Sequence, residues 1–211
     1  MEGLELLKKD WKKNENSFAQ LTDTDIYAML HKKSSSIVKW ILIISILEVL
    51  LWTGVSLINS DDYINKLEYG ALSGYFTAFN FFNYAVILIF IVLFYNNYRR
   101  ISATESTRQL MTDIIKTRKT VKFYVWYNLI MIAVTLVMGF IIAFNYNPEV
   151  IALGEKLNHD GKLMALILAL ITLCIALFLG LFWLFYRLLY GILLKRLLVN
   201  YKELKKIDLA E

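Results

Sequence analysis

The residue with the clearest chemical potential is Glu48, an acid within an apolar run. Trp40 to Ile58 contain one ionisable group, and it is this carboxyl. About nine residues, or ~13 Å, separate it from either end of the run, which predicts a place near the middle of a membrane. A carboxylate there costs ~3 kcal/mol or more, so such residues usually face a bundle interior and often mark function. The alternatives are a structural glutamate that holds helices together, a group that couples protons or ions, and a site of another kind.

Neutral polar residues on the same and other apolar runs are candidate partners for Glu48. Ser45 and Trp52 share its helical face at i−3 and i+4. The other runs contribute Thr77, Asn80, Asn83, Asn128, Thr135 and Thr172. Interhelical hydrogen bonds of this kind are worth about 1 kcal/mol each, so ordinary packing contacts are favoured for all of them. Arg187 is expected to reach lipid headgroups or to close the cytosolic mouth of the bundle. Its predicted depth is roughly 12 Å from that of Glu48, which argues against a direct ion pair between them.

Small residues form one face of the last apolar run. They are Ala165, Ala169, Thr172, Ala176 and Gly180, and they fall within a sector of about 80° at 100° per residue. Trp183 and Arg187 continue this face. Small residues let helices approach closely, so we expect the face to line the bundle interior.

Signatures of catalysis are missing from the sequence. The two histidines, His31 and His159, lie outside the apolar runs and are predicted on opposite sides of the membrane. There is no HExxH, no carboxylate cluster, no glycine-rich phosphate loop and no GxSxG nucleophile elbow. The single cysteine, Cys174, excludes an intramolecular disulfide. We therefore expect no enzyme, no metal and no cofactor.

Composition predicts an all-α membrane protein. Of 211 residues, 58% are hydrophobic and 19% charged, with a mean hydropathy of +0.51. The charges are concentrated between the apolar runs, which is the pattern of a multi-pass protein. The predicted spans are 38–58, 75–95, 123–144 and 164–186, each long enough to cross a bilayer. The first begins too late for a typical signal peptide, so we expect a retained helix.

Lysine and arginine predict the orientation. The five segments outside the spans carry 6, 1, 7, 2 and 6 of them in chain order. This alternation places both termini and the loop 96–122 in the cytoplasm, as expected in a bacterial inner membrane. The net charge of the chain is +5, and its basic residues flank the predicted membrane segments. This distribution argues for the lipid bilayer rather than nucleic acid as partner.

The predicted cytosolic parts are helical. Leu4, Leu7 and Trp11 recur at helical spacing, and this amphipathic segment is a candidate for packing on the cytosolic portion, for the membrane surface or for partner binding. Thr22 and Asp25 are spaced like a capping box before a second helix, which either stops at 34–36 or continues into the first span.

Two apolar stripes predict that membrane helices extend into the cytoplasm and pack there. They are Leu110, Ile114 and Val121, and Tyr190, Leu194, Leu197, Tyr201 and Leu204. We divide the chain into a cytosolic N-terminal helical segment, 1–36, and a four-helix membrane domain, 37–211, with a cytosolic loop 96–122 and a cytosolic helical tail 187–211.

The opening LELLKKDW, the stretch IYAMLHKKSSSIVKWILIISILE and the four-span layout resemble a group of uncharacterised membrane proteins from Flavobacterium-like bacteria. The resemblance covers the whole chain, and KSSSIVKW…SILE is its most distinctive part. Some members carry the label beta-carotene monooxygenase, which implies histidine-ligated iron. Two histidines on opposite sides of the membrane cannot supply that centre, so we reject the label. Association of some relatives with extracytoplasmic-function sigma factors implies an anti-sigma role.

The sequence thus leaves two main functional hypotheses. The first is a regulatory or scaffold protein whose cytosolic helices bind a cytosolic protein, a sigma factor being one candidate. The second is a small transporter or channel component that uses the Glu48 region, and it predicts a water-accessible polar cavity there. A homo-oligomer is compatible with both.

Overall fold

Four long helices make up most of the protein. The computed structural model describes residues 22–63, 72–146, 150–152, 154 and 161–209. The helices are α1 (Asp23–Tyr63), α2 (Leu72–Ala103), α3 (Thr107–Tyr146) and α4 (Gly161–Asp208). The predicted helical class is confirmed for these residues. The partner-binding candidates Leu4, Leu7 and Trp11 lie outside the described residues and stay a prediction.

The helices form a ring in chain order. Each one packs against the next, α4 closes the ring against α1, and α1 also contacts α3. Residues 104–106 connect α2 to α3, and such a short connection makes the two helices antiparallel neighbours. We call the end of the bundle that contains this connection the Thr104 end.

The start of α1 has the predicted capping box. The Asp25 amide donates to Oγ1 of Thr22 at 3.3 Å, and the Thr22 amide donates to Oδ2 of Asp25 at 3.1 Å. These two bonds satisfy amides that have no acceptor within the first helical turn. From here α1 continues without interruption through residues 34–36 and beyond, so the second of the two predicted alternatives is correct. The division of the chain at 36–37 falls inside this helix and stays a prediction.

Side chains of α1 satisfy carbonyl groups at the end of α2. The Tyr27 hydroxyl donates to the carbonyl of Thr104 at 2.9 Å, and Nε2 of His31 donates to the carbonyl of Ile101 at 2.6 Å. The last carbonyls of a helix lack intrahelical donors, so these bonds both terminate α2 and fix α1 beside it.

The buried core is concentrated toward the Thr104 end. Both predicted apolar stripes are part of it: Leu110, Ile114 and Val121 on α3, and Tyr190, Leu194, Leu197 and Leu204 on α4 are buried, and Tyr201 packs against them. Within this core Nδ2 of Asn200 donates to Oγ of Ser34 at 3.0 Å, and both residues are buried. The two stripes therefore pack in one core, while the cytosolic location of these parts of the helices stays a prediction.

The other half of the bundle is loosely packed. The burial of described side chains ends at Ser45 on α1, Phe90 on α2, Asn128 on α3 and Tyr186 on α4. From there to the opposite end of the bundle, every described side chain is at least partly exposed. The four helices therefore leave space between them in this half.

The predicted inward orientation of the small-residue face of α4 is wrong. Ala165, Ala169, Thr172, Ala176 and Gly180 are all exposed, and a Cβ atom added at Gly180 would meet no atom within 4 Å. The partly buried stripe of α4 is instead made of larger residues: Met164, Ile167, Ile171, Ile175, Leu179 and Phe182. These long side chains reach farther into the space between the helices than alanine or glycine could.

Candidate functional site

Glu48 lies on α1 and faces α3 and α4, where three tyrosine hydroxyls surround its carboxyl group. Tyr124 donates to Oε2 at 2.9 Å, and Tyr190 donates to the same oxygen at 3.3 Å. Tyr186 donates to Oε1. Each carboxyl oxygen therefore has at least one hydroxyl donor, which replaces part of the hydration that the group loses inside the bundle.

Local structure fixes these three hydroxyls. Tyr186 and Tyr190 are one helical turn apart on α4, and their rings stack at a centroid distance of 6.0 Å. The Tyr124 ring packs edge-to-face with the rings of Tyr190 and Phe94, with centroid distances of 5.9 Å and 5.3 Å. All three tyrosines are at most 2% exposed, so their rings have little freedom to turn the hydroxyls away from Glu48.

A cavity of about 450 Å³ begins at Glu48. It is lined by sixteen described residues from all four helices. The polar ones are Glu48, Asn80, Asn83, Thr135, Asn128 and the tyrosines at 84, 124 and 186. The remaining residues are apolar or aromatic, among them Trp52, Phe178 and Phe182. Volumes of this order are typical of sites for small organic molecules.

The cavity extends away from the Thr104 end. On α3 its lining runs from Tyr124 to Leu136, about 18 Å along the helix axis. Its inner end is formed by Glu48, Tyr124 and Tyr186, and the buried core continues directly beyond them. The described residues thus enclose a cavity that is closed by the core on one side and lies within the loosely packed half on the other.

The asparagines of the cavity have different surroundings. Oδ1 of Asn83 accepts a hydrogen bond from the Tyr127 hydroxyl at 3.0 Å, which links α2 to α3. Nδ2 of Asn128 donates to the carbonyl of Tyr124 at 2.9 Å, one turn earlier on the same helix. Asn80 lies farther from Glu48 along α2 and is exposed.

Several sequence candidates meet at this cavity. Glu48, Asn80, Asn83, Asn128 and Thr135 all line it. The buried Ser45 is one turn before Glu48, but its hydroxyl donates to the carbonyl of Leu42 at 2.8 Å. A cavity is therefore present at Glu48, but its lining is mostly apolar, and access of water to it stays a prediction.

Two candidates lie elsewhere. Thr172 is exposed on the outer face of α4, where its hydroxyl donates to the carbonyl of Leu168 at 2.8 Å. Arg187 is exposed too, with its guanidinium 5.0 Å from the centre of the Trp183 ring. The structure therefore separates both residues from the cavity, and Arg187 does not close the bundle.

Sequence reasoning missed the tyrosine partners of Glu48. The last predicted span, 164–186, ends at Tyr186, and the predicted partners of Glu48 are serine, asparagine and threonine residues. Tyr186, the residue before Arg187, contacts the Glu48 carboxyl group. Arg187 itself is exposed and points away from this contact. The spacing of Tyr186 and Tyr190 at i, i+4 was the available signal.

Glu48 is the single Asp or Glu among the described residues that line the cavity. No Lys, Arg or His is among the described residues that line the cavity. Among the described residues there is also no group of three His, Cys, Asp or Glu that could hold a metal ion. A carboxyl group with hydroxyl donors and aromatic neighbours can bind a ligand by polar and by ring contacts.

Fold and site together define a helical bundle of four helices that are long and apolar enough to cross a membrane, with a largely apolar cavity between them that contains Glu48. The chain belongs to the family described as Domain of unknown function (DUF8845), whose model matches residues 24–209. No curated protein and no solved structure matches the chain.

Proposed function

We propose that the protein is a four-span integral protein of the bacterial inner membrane that binds a small molecule in the Glu48 cavity. The apolar surface supports membrane insertion. In the most apolar 18-residue window of each helix, at most 11% of the residues are buried, and in α4 none are. A protein with such a surface would aggregate in water, whereas lipid covers it at no cost.

The distribution of basic residues supports the orientation. The predicted cytosolic segments carry 6, 7 and 6 Lys and Arg residues, against 1 and 2 in the other two loops. The Thr104 end, where α2 ends and α4 carries Lys205 and Lys206, is then the cytoplasmic end. In this orientation the closed end of the cavity faces the cytoplasm, and its loosely packed end faces away from it.

A single relationship carries the proposed function: the three tyrosine bonds to Glu48 close one end of a cavity that has the volume of a ligand site. A structural glutamate alone would need only its hydrogen-bond partners, and the adjoining space would be filled by side chains. The cavity suits a small transporter component with its site facing away from the cytoplasm. Catalysis is not part of the proposal.

A regulatory protein is the second candidate, and the length of α4 favours it. This helix runs unbroken from the cavity, at Tyr186, to Leu204 in the packed cytosolic layer. A ligand that moved Tyr186 or Tyr190 would therefore shift the same helix where a cytosolic partner could detect it. An anti-sigma-like protein is one specific form of this candidate.

Thiol labelling tests the open cavity. In a Cys174→Ser background, Thr135→Cys places a thiol in the cavity, and Val134→Cys places one on the outer surface of the same helix. We expect a membrane-impermeant maleimide, added from the non-cytoplasmic side, to label Thr135→Cys and leave Val134→Cys unlabelled, because thiols in lipid do not ionise. Equal labelling of the two, or no labelling of either, would contradict the proposal.

A deletion tests the second candidate. Removing residues 1–21 leaves the Thr22–Asp25 capping box in place, so α1 should still form. Crosslinking in cells should recover a specific cytosolic protein with the full chain and lose it with the shortened one. Recovery of the same proteins by both forms, or of none by either, would count against a regulatory role for the N-terminal segment.

A further inference from the structure

We propose that the cavity binds an organic cation with an aromatic or apolar body. This inference rests on the proposed function, because it names the ligand class of the same cavity. It is carried by three observations: the charge of the lining, the aromatic side chains around it, and the volume.

The charge of the lining is one-sided. Glu48 is the only Asp, Glu, Lys, Arg or His among the sixteen described lining residues. Its three hydrogen-bond partners are neutral hydroxyls, which bring no positive charge to the site. A cation that enters the cavity supplies the missing opposite charge, whereas an anionic ligand would be repelled from its inner end.

Aromatic rings lie where the body of such a cation would be placed. Trp52 and Phe182 line the cavity from α1 and α4, and their ring centroids are 5.9 Å apart. Phe178 is one turn farther along α4, and Tyr84 lines the cavity from α2. Faces of aromatic rings attract cations, most strongly for Trp, and the same rings provide apolar contact for the body of the molecule.

The volume and the donor set argue against a metal ion. About 450 Å³ far exceeds the space of one coordinated ion. Cations such as Ca²⁺ take six to eight oxygen ligands, usually several carboxylates, and Mg²⁺ keeps a tight octahedral shell. The described lining offers a single carboxylate, already bonded to three hydroxyls. An organic cation needs no such shell, because its charge is spread and its surface is apolar.

Three probes of known charge test this ligand class on the full chain in detergent. They are tetraphenylphosphonium, tetraphenylborate, which has the same shape and the opposite charge, and benzyltrimethylammonium, a smaller aromatic cation. Equilibrium dialysis against protein-free micelles measures binding. We expect saturable binding of at least one of the cations, at one site per chain, and none of the borate. Equal saturable binding of both tetraphenyl ions would overturn the inference, as would binding of neither cation.

Variants then locate the site. Glu48→Gln should weaken cation binding by about tenfold or more, while Glu203→Gln, the same change on the cytosolic part of α4, should leave it unchanged. Trp52→Leu should weaken binding by about two- to fivefold, against no change for Trp40→Leu on the outer surface of α1. If Glu48→Gln does not fold, the comparison of Trp52→Leu with Trp40→Leu still tests whether the cation binds in the cavity. Unchanged binding in Trp52→Leu would place the cation elsewhere.

The outcome separates this inference from the proposed function. Labelling of Thr135→Cys without cation binding would overturn the ligand class and leave the open cavity intact. Absence of labelling would overturn the proposed function itself.

Discussion

The Tyr124 hydroxyl donates a hydrogen bond of 2.9 Å to Oε2 of Glu48, across 76 positions of the chain. This bond joins α3 to α1 at the boundary between the packed core and the cavity. Tyr186 and Tyr190 add α4 to the same carboxyl. One acid thus connects three of the four helices, and its loss or the loss of its donors should be felt by the whole bundle.

Tyr124→Phe should destabilise the protein by about 0.5–3 kcal/mol, because it removes a hydrogen bond to the buried Glu48 carboxyl group and leaves the ring packing unchanged. The measurement is denaturant unfolding in detergent, followed by circular dichroism. Tyr95→Phe, on the exposed surface of α2, is the matched control and should change little. Equal effects of the two substitutions would show that the bond to Glu48 contributes nothing to stability.

The sequence predicted the helices better than the way they meet. Hydropathy, the Thr22–Asp25 spacing and the two apolar stripes are local signals, and each matches the structure within its own helix. Depth within an apolar run is also local, so it could not show how far one helix is shifted along its neighbour. That shift brings Glu48 to Tyr124 and Tyr186, near the ends of their own runs.

The predicted orientation of the small-residue face of α4 was wrong for a related reason. Small residues permit close packing, but they do not require it, and their use depends on the distance to the next helix. In the loosely packed half the bulky stripe of α4 is the partly buried one, and the small-residue face is exposed. The candidate cavity was partly predictable, since Asn80, Asn83, Asn128 and Thr135 do line it with Glu48. Its aromatic donors were not, because tyrosine near a span end is also typical of a membrane interface.

Ser34→Ala should cost about 1–3 kcal/mol, because it leaves Nδ2 of the buried Asn200 without its 3.0 Å acceptor. The bond ties α1 to the C-terminal part of α4. Hydrogen exchange should therefore speed up in both of these segments. Ser36→Ala, two residues away on an exposed face of α1, serves as the control. Unchanged exchange near Asn200 in Ser34→Ala would show that the bond is dispensable.

The raised pKa of the Tyr27 hydroxyl predicts that the protein loses stability at high pH. Burial raises the pKa of its hydroxyl above the usual 10.0, and the nearby negative charge of Glu105 raises it further. The folded protein then holds this proton more tightly than the unfolded chain. The resulting stabilisation is complete below the unfolded pKa of 10.0 and is lost as pH rises through the folded value.

Thermal unfolding from pH 8 to 12 checks this prediction in wild type and Tyr27→Phe. The phenylalanine variant should be less stable at pH 8, since it also loses the bond to Thr104, and the two curves should converge above pH 10. Other titrating groups are common to both proteins and cancel in the difference. A constant difference across the whole range would show that ionisation of Tyr27 is not linked to folding.

Gly180→Ala tests the outward orientation of the small-residue face. A Cβ atom at this position would meet nothing within 4 Å, and alanine favours the helix over glycine by up to about 1 kcal/mol. We therefore expect the variant to be equally or more stable in detergent at low protein concentration. Gly139→Ala on α3, also without a neighbour within 4 Å, should behave alike. Destabilisation confined to Gly180→Ala, and growing with protein concentration, would instead reveal a second copy of the chain packed closely on this face.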